Sequence, residues 1–93
     1  MRVTRYKVAQ RIVDYLHHRI TLAELVDWAE RVMMEGDFGE QDFEVLRYVV
    51  SRLGLADVKA FGMTWEDCED FLSKLGYRVS VAVSEAPAMV SAG

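Results

Sequence analysis

Apolar residues recur in this chain at the spacing of an α-helix in four separate runs, each bounded by residues that suit a helix end. That repetition constrains the fold most, because a helix with one apolar stripe must bury it against another element. In the first run Val8, Ile12 and Leu16 lie at i, i+4 and i+8, with Ala9 and Val13 beside them. A helix is expected from about Arg5 to His18. In the second, Thr21 is followed three residues on by Glu24. That is the capping-box spacing, in which the threonine oxygen and the glutamate each satisfy an otherwise free backbone N–H. Ile20 and Leu25 stand where a hydrophobic staple closes, Leu22, Leu25, Val26, Ala29, Val32 and Met33 carry the stripe, and Gly36 ends it. So short a connection between the first two helices predicts antiparallel neighbours.

A turn, EGDFGEQD, precedes a third helix expected from about Glu40 to Leu53, with Phe43, Leu46, Val49, Val50 and Leu53 inward and Gly54 stopping it. LADVKAFGM is irregular but apolar enough to lie packed on the bundle. TWEDCED then opens a fourth helix: Thr64 caps, Asp67 answers it, and the acidic residues suit the positive end of the helix dipole. Trp65, Cys68, Phe71, Leu72 and Leu75 form its stripe, and Gly76 closes it.

At Tyr77 the period changes to two. Tyr77, Val79, Val81 and Val83 alternate with smaller or polar residues, which predicts a strand over residues 77–83. A strand needs a partner for its backbone groups. The candidates are the N-terminal MRVTRY, which also alternates, or a second copy of the chain, making a homodimer. The expected fold is therefore mainly α: a four-helix bundle-like domain over residues 1–83 with a short C-terminal β-strand. Residues 84–93 are expected to form a flexible tail.

At 93 residues the chain has room for one core. It has no apolar run near the roughly 18 residues that span a bilayer. Its basic start leads into an amphipathic segment, not a continuous apolar one. A lone cysteine rules out an internal disulfide or a multi-cysteine zinc site. A cytoplasmic protein is expected, with no membrane partner.

Charge is unevenly spread. Residues 1–20 carry Arg2, Arg5, Lys7, Arg11 and Arg19 against Asp14 alone. Glu24, Asp27, Glu30, Glu35, Asp37, Glu40, Asp42 and Glu44 follow against only Arg31. This suits an acidic surface meeting a basic protein, or two copies meeting head to tail; the alternative is a solvated helical face. Nucleic-acid binding through the first helix is disfavoured, because neither acidic helix after it resembles a recognition helix.

Chemistry-bearing patterns are sparse. Glu66, Asp67, Glu69 and Asp70 could gather a hard cation, but on a helix Asp67 points about 100° away from Glu66, and a helix start accounts for them. Cys68, in step with Trp65 and Leu72, reads as a buried structural thiol. His17 and His18 are adjacent instead of one turn apart, which suits a helix end better than a metal. No nucleophile elbow, phosphate loop or dinucleotide fingerprint occurs, so no enzyme, no cofactor and no metal are expected. Trp28, at the border of the second helix's stripe among glutamates, is a candidate interface anchor or a boundary core residue.

Ile20, Thr21, Glu24, Leu25 and Trp28, set between a basic helix and a long acidic one, resemble small acidic helical immunity proteins of bacterial toxin systems, of the colicin D immunity type. The likeness covers about a third of the chain. It implies a non-catalytic protein whose acidic face blocks a basic toxin. Here that partner-binding face is carried by Glu30, Glu35, Asp37, Glu40, Asp42 and Glu44, with Trp28.

Overall fold

The computed structural model describes residues 2–58 and 62–80, which form four helices: α1 (Arg5–Leu16), α2 (Leu22–Glu35), α3 (Phe43–Gly54) and α4 (Trp65–Lys74). α2 and α3 make the most extensive pairing, and α1 packs on all three of the others. Val8 and Ile12 from α1, Leu25, Ala29 and Val32 from α2, Leu46, Val49 and Leu53 from α3, and Cys68, Phe71 and Leu72 from α4 meet in one core. Each fully buried aliphatic side chain there contributes roughly 1.5 to 3 kcal/mol. Among the described residues no helix is long and apolar enough to cross a membrane.

Local chemistry explains the helix starts. Thr21 accepts from the Glu24 N–H at 3.1 Å while the Glu24 carboxylate accepts from the Thr21 N–H at 2.9 Å. Thr64 and Asp67 repeat this reciprocal pair at α4, at 3.1 and 3.0 Å. Asp42, preceding α3, makes no side-chain cap and instead pairs with Arg5, Nε to Oδ2 3.5 Å. α3 therefore begins at Phe43, three residues later than the expected Glu40, and Gly54 is its last helical residue.

The helix ends reveal what sequence spacing hides. α4 closes with two backbone bonds, Tyr77 N–H to Leu72 C=O at 2.9 Å and Gly76 N–H to Ser73 C=O at 3.0 Å, around Gly76 at φ +95°. This is the Schellman arrangement, which needs a left-handed residue. α1 closes identically, with Arg19 N–H to Asp14 C=O at 2.8 Å and His18 N–H to Tyr15 C=O at 3.0 Å. Its left-handed residue is His18, at φ +60°. α1 consequently stops at Leu16, short of the expected His18.

Gly36 serves a different purpose. It is extended, not left-handed, and a Cβ there would lie 2.6 Å from the Val32 carbonyl oxygen and 2.8 Å from Val3 Cγ2. Its bare backbone lets the N-terminal segment press onto the end of α2. Val3 donates its N–H to the Asp37 carbonyl at 2.9 Å, Arg2 and Asp37 form an isolated parallel bridge, and the Val3 side chain is buried in the core.

That contact corrects the strand expectation. Tyr77 to Ser80 form no strand, and the N-terminal segment pairs with the α2–α3 connection instead. Only Arg2 to Thr4 precede α1 in the described chain; Arg2 and Val3 are engaged with Asp37, and Thr4 caps α1. Past the Schellman turn Val79 packs against the core while Tyr77 stays exposed. Val81 and Val83, the rest of that expected strand, and residues 84–93 lie outside the described residues. The irregular stretch after α3 behaves in part as expected, with Ala56 buried and Leu55 and Val58 more exposed; residues 59–61 lie outside the described residues.

Candidate interaction surfaces

The expected acidic face divides when its residues are placed. Asp37 is engaged locally, its carboxylate accepting from the Gly39 N–H at 2.9 Å, and Asp42 is paired with Arg5. Glu30 is exposed beside the far end of α3, its Cγ 3.8 Å from where a Gly54 Cβ would stand. Along α3, Gly54 lies ten residues from Glu44, roughly 15 Å of helix. Of the expected face, Glu35, Glu40 and Glu44 are what remains at or next to the α2–α3 connection. Glu40 and Glu44 line one open hollow there, and Glu35 is the last residue of α2. All three are exposed.

Between Glu40 and Glu44 stands Phe43, which the sequence pattern had placed inward. It is 43 % exposed. Leu46, Val49, Val50 and Leu53 on the same stripe are buried, but Phe43 is the first residue of α3. Helical side chains lean toward the N-terminus, so at this position the ring overhangs the helix end and leaves the core. The Phe38 ring holds it edge-on at 6.1 Å, and the Arg47 guanidinium lies 6.0 Å from its centre. The signal that could have shown this is Asp42, a residue type favoured at the N-cap: an α3 starting at Phe43 leaves no helical turn ahead of that ring.

Of the two tryptophans, Trp28 takes the core alternative of its two readings and Trp65 departs from its expected inward place. Trp28 is only 6 % exposed and joins the core, with the Arg11 guanidinium 5.3 Å above its ring. It is not a free anchor. Trp65, expected in the α4 stripe, is 43 % exposed at the first position of α4. With Tyr6, Tyr77 and the apolar Val13, Leu16 and Val79 it lines a groove of about 500 Å³ between α1, α4 and the segment after Gly76.

TWEDCED resolves into a helix start. Asp67 completes the cap, Asp70 pairs with Lys74 at 2.9 Å, and Glu66 and Glu69 are exposed. No group of three or more histidine, cysteine or acidic residues poised for a metal occurs among the described residues. Cys68 is buried, and burial, with a smaller contribution from the Asp67 charge, pushes its thiol up to about 11. It is therefore protonated and unreactive near neutrality. Asp14 is held below the usual carboxylate value, chiefly by the Gln10 side-chain hydrogen bond and then by Arg19. Lys74 is raised, chiefly by its hydrogen bond to Asp70.

The class these features define is a small mainly helical protein with two differently charged surfaces and an aromatic groove. The chain matches no protein-family model, and no curated protein or solved structure gives a significant match.

Proposed function

We propose that this is a non-catalytic cytoplasmic protein that works through protein contacts, presenting the acidic end of the α2–α3 pair to a basic partner in the manner of a bacterial immunity protein or antitoxin. The observation that carries this reading is the exposed Phe43, which lines one open hollow with Glu40 and Glu44, while Glu35 ends α2. An aromatic side chain supplies contact area at small entropic cost, and surrounding carboxylates steer a cationic surface toward it. Phe43 replaces Trp28 as the anchor in this reading.

The test is affinity capture from host extract with the wild-type protein and with Glu35→Lys/Glu40→Lys/Glu44→Lys, each checked for an unchanged melting curve. The reading expects a basic protein retained by the wild type, released by added salt and absent with the variant. Capture of the same proteins by both would reduce the acidic end to a solvated surface.

A second reading, self-association into a homodimer, draws on the aromatic groove, where Tyr6 is 64 % exposed beside Trp65 and Tyr77. It no longer needs a strand. Sedimentation at micromolar concentration decides it: a monomer whose sedimentation is unchanged by Trp65→Ser and Tyr77→Ser removes the dimer.

A further inference from the structure

The basic residues among the first twenty do not act as a group. Arg5 pairs with Asp42, and Arg19 with Asp14 at 3.2 Å. Lys7 and Arg11, one turn apart on α1, instead line one open groove of about 480 Å³ together with Arg31 of α2. Neither Lys7, Arg11 nor Arg31 forms an ion pair with a carboxylate among the described residues. In a chain of net charge −4, three cations without ion pairs around one concavity stand apart from the rest of the surface.

The groove is also ordered. Trp28, one helical turn before Arg31, lies in its lining with the Arg11 guanidinium 5.3 Å over the ring. Stacking on an aromatic face positions a guanidinium while leaving its N–H edge free to donate. Lys7 is anchored from its own end, its Nζ donating to the Arg2 carbonyl at 2.8 Å, which leaves its remaining protons available. The one carboxylate in the lining, Asp14, is hydrogen-bonded by Gln10 at 3.1 Å and Arg19 at 3.2 Å, and its charge also interacts with Arg11 more weakly than with Arg19. Asp27 and Glu35, one turn either side of Arg31 on α2, are exposed and outside the lining. They moderate the field but do not fill the groove.

We propose that the α1–α2 groove lined by Lys7, Arg11, Arg31 and Trp28 is a binding site for a phosphate group, free or carried as a small monoester. A carboxylate offers two oxygens in one plane and a single charge. A phosphate presents three oxygens in a tetrahedral array and close to two charges, which suits three donors arriving from two helices. Tyr6, on the rim and exposed, would lie beside the ester substituent. This assignment is independent of the acidic end and survives if that surface proves inert.

The experiment is a titration of the ¹⁵N-labelled full chain at constant ionic strength with inorganic phosphate, phenyl phosphate and acetate in separate arms. Saturating shifts are expected at the amides of residues 7–11 and 28–31 and at the Trp28 indole. Phosphate should bind at least about tenfold more tightly than acetate, and Arg31→Gln should weaken it roughly tenfold. Arg47→Gln, on α3 beside Phe43, should leave it within about twofold. Tighter binding of phenyl phosphate assigns the groove to a monoester, and equal affinities assign it to the free ion. Shifts that never saturate, acetate binding as tightly as phosphate, or affinities unchanged in folded Arg31→Gln and Lys7→Gln proteins would each overturn the proposal.

Discussion

Trp28 and Trp65 occupy comparable sequence settings, each on a helix among carboxylates, and end in opposite environments. Trp28 lies mid-helix on α2, where α1 crosses it, so its ring is covered on one side by the core and on the other by Arg11. Trp65 is the first residue of α4 and has no preceding turn to pack under, so it stays on the rim of the aromatic groove. Position along the helix, more than hydrophobicity or neighbouring charge, separates the two. The same rule exposes Phe43 at the first position of α3. Trp65 and Phe43, at the starts of α4 and α3, face the candidate contact surfaces, whereas Trp28 and Phe71, further along their helices, are buried in the core.

The sharpest way to break that comparison is to truncate both rings. Trp28→Ala should cost about 3 to 5 kcal/mol, the range for emptying a buried aromatic site, and Trp65→Ala less than about 1 kcal/mol, both read from urea unfolding. Equal losses would contradict the contrast. Next in size is the N-terminal segment that closes the α2 side of the molecule. Gly36→Ala forces a methyl against the Val32 carbonyl and Val3 and should cost about 1 to 3 kcal/mol, whereas Gly54→Ala, where the nearest atom is 3.8 Å away, should be neutral or better.

The α4 side carries a pH signature in Cys68. The Cys68 thiol is pushed up to about 11 in the folded protein, against about 9.0 for the free group. Its contribution is complete below the unfolded value and is lost as pH rises toward the folded one, because the unfolded chain ionises first. Stability should fall by up to about 2 kcal/mol between about pH 8 and pH 10.5, and Cys68→Ala should lack that part of the slope. Identical alkaline slopes in the two proteins would show the thiol to be solvated. The smallest effect lies at the end of α1, on the groove that Trp65 shares. His18→Gly relieves a left-handed non-glycine residue and should raise stability by about 0.5 to 1 kcal/mol, whereas Gly76→Ala at the matching position of α4 should lower it.

Those two helix ends show what could be read from the sequence. The helices themselves, the reciprocal caps at Thr21–Glu24 and Thr64–Asp67 and the inward Cys68 follow from local spacing, which the structure keeps. Gly76 announces its Schellman turn because glycine is the usual left-handed residue, but His18 forms the same turn without that mark. The pairing of Val3 with Asp37 was invisible because it joins segments more than thirty residues apart through two backbone groups. The alternation after Gly76 suggested a strand, yet through Ser80 it buries Val79 against the helices without a ladder. The surfaces were legible only as composition. Their sorting, with Arg5 and Asp42 cancelling, Glu30 set apart and Arg31 brought opposite Lys7 and Arg11, depends on how α1 and α3 lie against α2.

The most direct test of this account is the solvent access of a single tryptophan. In Trp65→Phe only Trp28 remains to fluoresce. Burial beneath Arg11 predicts blue-shifted emission and acrylamide quenching several-fold weaker than in the wild type, where the exposed Trp65 contributes. Quenching as strong as the wild type's, with emission at the wavelength of a hydrated indole, would contradict it.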